Sequence, residues 1–360
     1  MNAPTASPTP ALPGAGPPDG RGTRRGRWAC AWALLLLSPV CAEYLIGYDV
    51  SVGRPLQLLA GLLILGPLYG AVAVLIREVT RRCGRGWPTI VLLGAAFGLV
   101  QAGLIDQSLF HLEFDPDDPD WATESPRTPV PGLGIDAKNL LNWVGGHVVW
   151  SFAAPIAVVE SCAPRTADRP WLGKAGLSVM VLLYLAAAAV IYSDVDGPGA
   201  TPSEMTGTAA VVLVLIAAAF AFPRRGSGRP GTPVRLLASV PVPVPAPWLV
   251  GAGALAVFAT DQMLPMSWTA VAVDVLVLSL LAGYLLLASG DASWRRAHVL
   301  AVAGAALLVR AGLSFFVEPL GDPSYAVKYA VNTALTLGVL GLLAWAGRRV
   351  RRDEALPGAS

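Results

Sequence analysis

Charge is what this sequence has little of. Only 14% of its 360 residues are Asp, Glu, Lys or Arg, against about 25% in soluble domains. With 54% apolar residues and a positive mean hydropathy, the chain reads as a membrane protein rather than a water-soluble one. Histidine is scarcer still, at three residues, and cysteine contributes four: Cys30, Cys41, Cys83 and Cys162. All four cysteines fall in or beside apolar segments and none in an outside loop, so no disulfide framework is implied. The absence of a CxxC pair or a Cys/His cluster leaves no expected metal site. No phosphate-binding glycine loop, redox-cofactor motif or GxSxG elbow occurs. Neither a cofactor nor a nucleic-acid partner is therefore expected.

What the chain does have is long apolar runs. Ten are legible, at 29–48, 55–76, 88–109, 139–162, 173–192, 207–222, 247–264, 267–288, 298–317 and 326–346. Most have the roughly 20 residues needed to cross ~30 Å of hydrocarbon, and the sixth and seventh are the shortest. The expected fold is all-α, a polytopic bundle over 28–347. A basic tail lacking order is expected at 1–27 and a basic tail at 348–360. The basic residues fix an orientation. With both termini inside, only Arg54, Arg127, Lys138 and Lys328 of the 26 Lys and Arg residues fall outside, and only Arg310 lies within a span. The positive-inside rule is thus obeyed at every loop, which predicts a multi-pass membrane protein with its basic loops cytoplasmic. The inner basic loops are expected to touch anionic lipid headgroups, and Arg77, Arg81, Glu78 and Arg82 to form a solvated helix end there. Val40-Cys41-Ala42 offers small residues to a signal peptidase, but the apolar run continues past them.

The outside loop at 111–138 is acidic. Read as a calcium loop from Asp115 it has no glycine at the sixth place and Pro126 at the twelfth, so a solvated loop is expected. The inside stretch 239–248 reads as a stiff polyproline spacer.

The third run, 87–111, starts apolar and ends polar, with Gln101, Asp106, Gln107 and Ser108 near its far end. Other spans repeat that bias. Glu43, Asp106, Asp261 and Glu318 come late in outward spans, and Asn142, His147, Asp274 and Asn332 early in inward ones. All eight therefore fall in the outer half of the bilayer, and Arg310 near its middle. An ionisable group there costs on the order of 2.5–3.5 kcal/mol, so it needs partners or water. The expected intramembrane polar site comprises Glu43, Gln101, Asp106, Asn142, His147, Asp274, Arg310 and Asn332, with Arg310 paired to Asp274 or Glu43. Helical spacing puts Trp143, His147, Trp150 and Ala154 on one face, and Tyr325, Tyr329, Asn332 and Thr336 on another. Pro39, Pro67 and Pro155 each free a carbonyl four residues back, which protein or water must satisfy. The Gly66/Gly70 and Gly94/Gly98 pairs mark close helix packing. The bland alternatives are helix-end carboxylates at the interface, a structural ion pair at Arg310 and a packed histidine at position 147.

The segments 77–110 (REVTRRCGRGWPTIVLLGAAFGLVQAGLIDQSLF), 42–50 (AEYLIGYDV) and 144–151 (VGGHVVWS) resemble those of uncharacterised multi-spanning membrane proteins of high-GC actinobacteria. That resemblance implies a plasma-membrane location and no activity. A fainter likeness is to the intramembrane protease family of abortive-infection and prenyl-endopeptidase-like proteins. Those carry a Glu-Glu-x-x-x-Arg motif, whereas here no Glu-Glu occurs and Gln101-Ala102 stands in its place. Three function classes follow. The first is a transporter or permease with a small polar substrate or a proton as its cargo. The second is a non-catalytic scaffold or partner subunit, whose polar residues only join helices. The third is a membrane-embedded enzyme on a lipid-linked or extracytoplasmic substrate, using His147 as acid/base with Asp106 or Glu43.

Overall fold

The computed structural model describes residues 20–110, 127–195, 199–224, 242–320 and 323–355. Residues 1–19 of the expected tail, the acidic loop from 111 to 126 with its Asp115 reading, and 239–241 of the proline stretch lie outside them. Among the described residues a helix covers every expected span. In order these are α1 (Gly20–Pro39, continued by Val40–Tyr44), α2 (Pro55–Arg82), α3 (Trp87–Ile105) and α4 (Ala137–Cys162). There follow α5 (Lys174–Ser193), α6 (Pro202–Ala221), α7 (Pro247–Met263), α8 (Trp268–Ala288), α9 (Arg296–Leu313) and α10 (Tyr325–Glu354). A two-stranded antiparallel hairpin, β1 (Pro129–Val130) and β2 (Ile135–Asp136), precedes α4. The fold is an all-α bundle. Eight helices, all but α1 and α7, are long and apolar enough to cross a membrane.

Local chemistry sets the helix starts. Proline opens α2, α6 and α7, where its missing N–H costs nothing. Asp136 caps α4 by accepting from the backbone of Lys138 and Asn139. Thr201 and Glu204 form a capping box that starts α6 at Pro202, lengthening the expected sixth span. Two boundaries move. Helix α1 begins at Gly20, inside the expected tail, and α10 runs on through Arg348 to Glu354. No proline interrupts either arginine-rich segment, and arginine is a good helix former.

Contacts at each end show that successive helices alternate in direction. At one end Thr89 donates to the Ala219 carbonyl (2.9 Å), Arg349 to that of Cys162 (3.1 Å), and His298 meets Pro245 (3.0 Å). At the other, Leu320 N–H bonds the Tyr48 carbonyl (2.8 Å) and Lys328 that of Phe315 (3.3 Å). The first end carries the starts of the odd helices and the ends of the even ones, and with them the basic loops. It is called the basic end below. Helix α4 is the spine: 61% of its most apolar window is buried, against 11% for α8. One core joins α1 to α6, and a second gathers α7, α9 and α10 onto α4 and the end of α1.

Four helices depart from the α-helical ladder for one wider π turn: Val40–Tyr44, Gly66–Gly70, Gln101–Ile105 and His147–Ala153. Proline accounts for three of them. Pro39 precedes the first, Pro67 lies in the second and Pro155 follows the fourth, each removing a ladder donor. Neighbouring helices close on two of the carbonyls so freed. Ser38 donates to the Ser151 carbonyl at 2.6 Å, four residues before Pro155. Leu35, four residues before Pro39, turns its carbonyl to Gly70, where a Cβ would stand 2.0 Å from the oxygen. Gly94 and Gly98 likewise seat α3 against α4, with Val144, His147, Val148 and Phe152 at 3.2–3.8 Å from their Cβ positions. The expected glycine and proline roles are those seen. All four π turns belong to α1–α4, whereas an inverted five-plus-five repeat would place counterparts in the second half. Among the described residues α6–α9 are regular.

Replacing Gly70 by alanine should therefore push α1 from α2 and cost ~1–3 kcal/mol, as overpacking does. Gly253, with open space around its Cβ position, should accept alanine or gain from it by roughly 0.5–1 kcal/mol. Thermal unfolding of the purified variants, followed by loss of the monodisperse elution peak, measures the contrast.

Candidate functional site

Each of the four π turns contributes a polar side chain to one cluster. Glu43 sits in the turn of α1, Tyr69 in that of α2, Gln101 in that of α3 and His147 in that of α4. The Glu43 carboxylate accepts from the hydroxyl of Tyr48 and interacts electrostatically with Tyr69. The Tyr69 ring lies over the His147 ring, centroids 5.5 Å apart at 31°. His147 Nδ1 is 3.2 Å from the Ser151 hydroxyl, whose own backbone carbonyl is the one held by Ser38. Tyr69, Gln101 and His147 line a void of about 10 Å³ closed by Phe97, Phe152 and Tyr184. That is room for about one water. Gln101 Nε2 donates to Asp106 at 3.1 Å, and Asp106 also accepts from the Ser108 N–H (3.0 Å) and hydroxyl (2.7 Å). Single π turns recur at functional sites because the extra residue redirects a side chain out of the regular ladder. Four of them aimed at one point make this the candidate site.

Arg310 completes the cluster from α9. Its guanidinium carbon lies 4.2 Å from the ring centroid of the buried Trp150, a cation–π contact. Trp150 is itself fixed by donating to the Ala306 carbonyl at 2.9 Å. The Arg310 charge acts on His147 and on Tyr48, so it belongs to the same electrostatic unit as Glu43.

The other expected residues are held elsewhere. Asp274, buried at the start of α8, is ion-paired to Lys138 and not to Arg310. Lys138 also donates to the Asp261 carbonyl at 3.3 Å. It stands ahead of the fourth apolar run and so reads from sequence as an outside residue, yet the α4 cap folds it back into the bundle. Asn142 makes only a 4.0 Å contact with the Met266 sulfur. Asn332 donates to the Ser314 carbonyl at 2.7 Å and packs on Gly47, joining α10 to α9 and α1. Its stripe partners Tyr325 and Tyr329 are exposed. Among the described residues no three His, Cys, Asp or Glu stand close enough to hold a metal ion.

The basic end holds the larger surprise. Arg77, Glu78 and Arg81 are not a solvated helix end. Arg77 and Glu78 are 0% exposed, Arg81 6%. The reason is Glu160, a carboxylate near the end of α4. Its Oε1 accepts from Arg77 Nε (3.0 Å) and Arg81 Nε (2.8 Å), and its Oε2 from Arg81 Nη2 (2.6 Å). Glu78 accepts from Arg77 (2.8 Å), Arg82 (3.2 Å) and the N–H groups of Trp171 (2.7 Å) and Leu172 (3.3 Å). Arg77 also donates to Ala167 O (2.6 Å) and stacks on Trp171, 3.6 Å from its centroid. Such a network rivets α2, α4 and the 163–172 loop into one block. A lone glutamate at the depth of two arginines spaced four apart was the signal for it.

Removing one member of a buried, mutually bonded set strands the rest and costs ~3–5 kcal/mol. Glu160→Gln should thus abolish the monodisperse folded protein or lower its unfolding temperature sharply. Asp353→Asn, which breaks the exposed 3.6 Å pair with Arg165, should cost below ~1 kcal/mol. Fluorescence-detected gel filtration after heating compares the two, and equal loss would contradict the assignment.

No curated protein and no solved structure matches the chain. A family model does match, across residues 33–350, a stretch that takes in both charged clusters and every helix of the bundle. On that match the chain belongs to a family of membrane proteins described as uncharacterised, and it is an integral, multi-pass member of it.

Proposed function

We propose that the protein is a proton-coupled transporter, seen here closed, whose proton-binding unit is Glu43 with Tyr48, Tyr69, His147 and Arg310. The observation that carries this reading is the placement of Glu43, Tyr69, Gln101 and His147, each in a π turn of a different helix. A scaffold gains nothing from four interrupted helices, because regular helices join through single contacts such as Asn332 with Ser314. Interrupted helices with titratable groups at the break are what ion-coupled carriers use to bind and release cargo near mid-membrane. An enzyme reading is less well supported, since neither a GxSxG elbow nor a paired-glutamate motif accompanies His147 in the sequence.

The positive-inside rule assigns the basic end to the cytoplasm of a bacterial plasma membrane. On that assignment the Glu43 unit lies in the outer half of the bilayer. A proton entering from outside would reach Glu43 first. The cargo is then a small polar solute, matched to the hydrogen-bonding of Gln101, Ser151 and the two tyrosines.

Transport measured on protein reconstituted in lipid tests the reading. Solid-supported-membrane currents under an inward proton gradient should appear with at least one of a panel of small polar solutes, and fall more than tenfold in Glu43→Gln and His147→Ala. Monodisperse elution shows that the variants are folded. A wild type silent to the whole panel, or variants that respond as it does, would overturn the proposal.

A further inference from the structure

A cavity of about 390 Å³ opens at the basic end, lined by none of the π-turn residues and independent of the reading above. It lies in the seam between the two cores. The starts of α3 and α9 form two of its walls, and the ends of α4, α6 and α8 the others. Its charged lining is Arg81, Arg295 and Arg296 against Glu160 and Asp168. Both acids are already engaged, Glu160 by Arg77 and Arg81, and Asp168 by Arg296. Arg295 makes no ion pair among the described residues and is exposed. The pocket therefore keeps an excess of positive charge. Its rim is of another character: Phe222 and Pro223 from the end of α6, and Leu286 from α8, give it an apolar lip at the level of the helix ends. Trp87 and Trp294 line it as well, the residue type that settles at the membrane–water boundary.

We infer that this pocket binds the phosphate headgroup of an anionic membrane phospholipid. The phosphate sits against Arg295 and Arg296, and the acyl chains leave between α6 and α8. Three features argue for an amphiphile over a soluble anion. The lining sets arginines beside the apolar side chains of Phe222, Pro223 and Leu286. The lip faces outward between two helices whose own surfaces are largely exposed, with Leu213 at 67% and Leu280 at 63%. Moreover, the pocket stands where the basic loops gather, the depth at which headgroups lie. Arginine suits phosphate because its planar fork donates two parallel hydrogen bonds. The site differs from loose attraction of lipid to basic loops in being a concave, saturable pocket.

Native mass spectrometry of the purified full chain provides the test, with phosphatidylglycerol, phosphatidylcholine or inorganic phosphate added separately. Wild type should retain one phosphatidylglycerol through activation that strips phosphatidylcholine. Arg295→Ala/Arg296→Ala should weaken that retention at least tenfold, whereas Arg348→Ala/Arg352→Ala, which removes the same charge outside the pocket, should not. Ser289→Trp, an exposed position on the wall whose change leaves every ion pair intact, should also block the adduct by filling the space. Equal retention in the pocket and control variants would overturn the proposal. So would saturable binding of inorganic phosphate with no preference among the lipids, since the ligand would then be a soluble anion. Because the readout is binding alone, failure here leaves the Glu43 unit untouched, and failure there leaves this pocket untouched.

Discussion

A helix in hydrocarbon can leave its own hydrogen-bond ladder only where neighbouring protein replaces what is lost. That constraint organises the first half of this chain. Pro155 removes a donor from the Ser151 carbonyl, and Ser38 of α1 supplies one at 2.6 Å. Pro39 does the same to Leu35, whose carbonyl comes against Gly70 of α2 at a distance no side chain would permit. The first of these is a hydrogen bond and the second a close backbone contact, and both run from α1. Thus the breaks in α1, α2 and α4 are possible only because those helices touch, and they touch where the breaks are. The residues redirected at the breaks then face one another, which is how Glu43, Tyr69 and His147 come into a single unit.

Much of this was legible in the sequence because hydropathy and basic residues report depth. Ten apolar runs became ten helices, the prolines and paired glycines did what their chemistry demands, and Glu43, Gln101, Asp106, His147 and Arg310 do belong together. Direction was harder to read. A π turn adds a residue to the ladder, so every face drawn with a 3.6-residue period slips by about 100° beyond it. Tyr69 sits inside such a turn and looked like part of an ordinary apolar run. Asp274 had the right depth for the cluster but is held by Lys138, whose place ahead of α4 made it look solvated. Glu160 was hidden by the opposite effect. A single acid at the end of an apolar run resembles an interfacial residue until α2 is seen to bring Arg77 and Arg81 onto it.

The two charged clusters differ in what binds their carboxylates, and that difference bears on what each can do. Glu160 is gripped by guanidinium groups, which only donate hydrogen bonds. Only a carboxylate offers a lone pair to each of these buried donors, which is how it holds the block together. Glu43 is met by the hydroxyl of Tyr48. A phenol both donates and accepts, so it can serve a carboxylate or a carboxylic acid by turning one hydrogen. His147, with Ser151 on one ring nitrogen, has the same tolerance, because the serine hydroxyl can take either role. On the proposed reading this is the division the fold needs. The guanidinium-bound end holds α2 and α4 in place, while the hydroxyl-bound end between the same two helices can change its proton count without losing its hydrogen bonds.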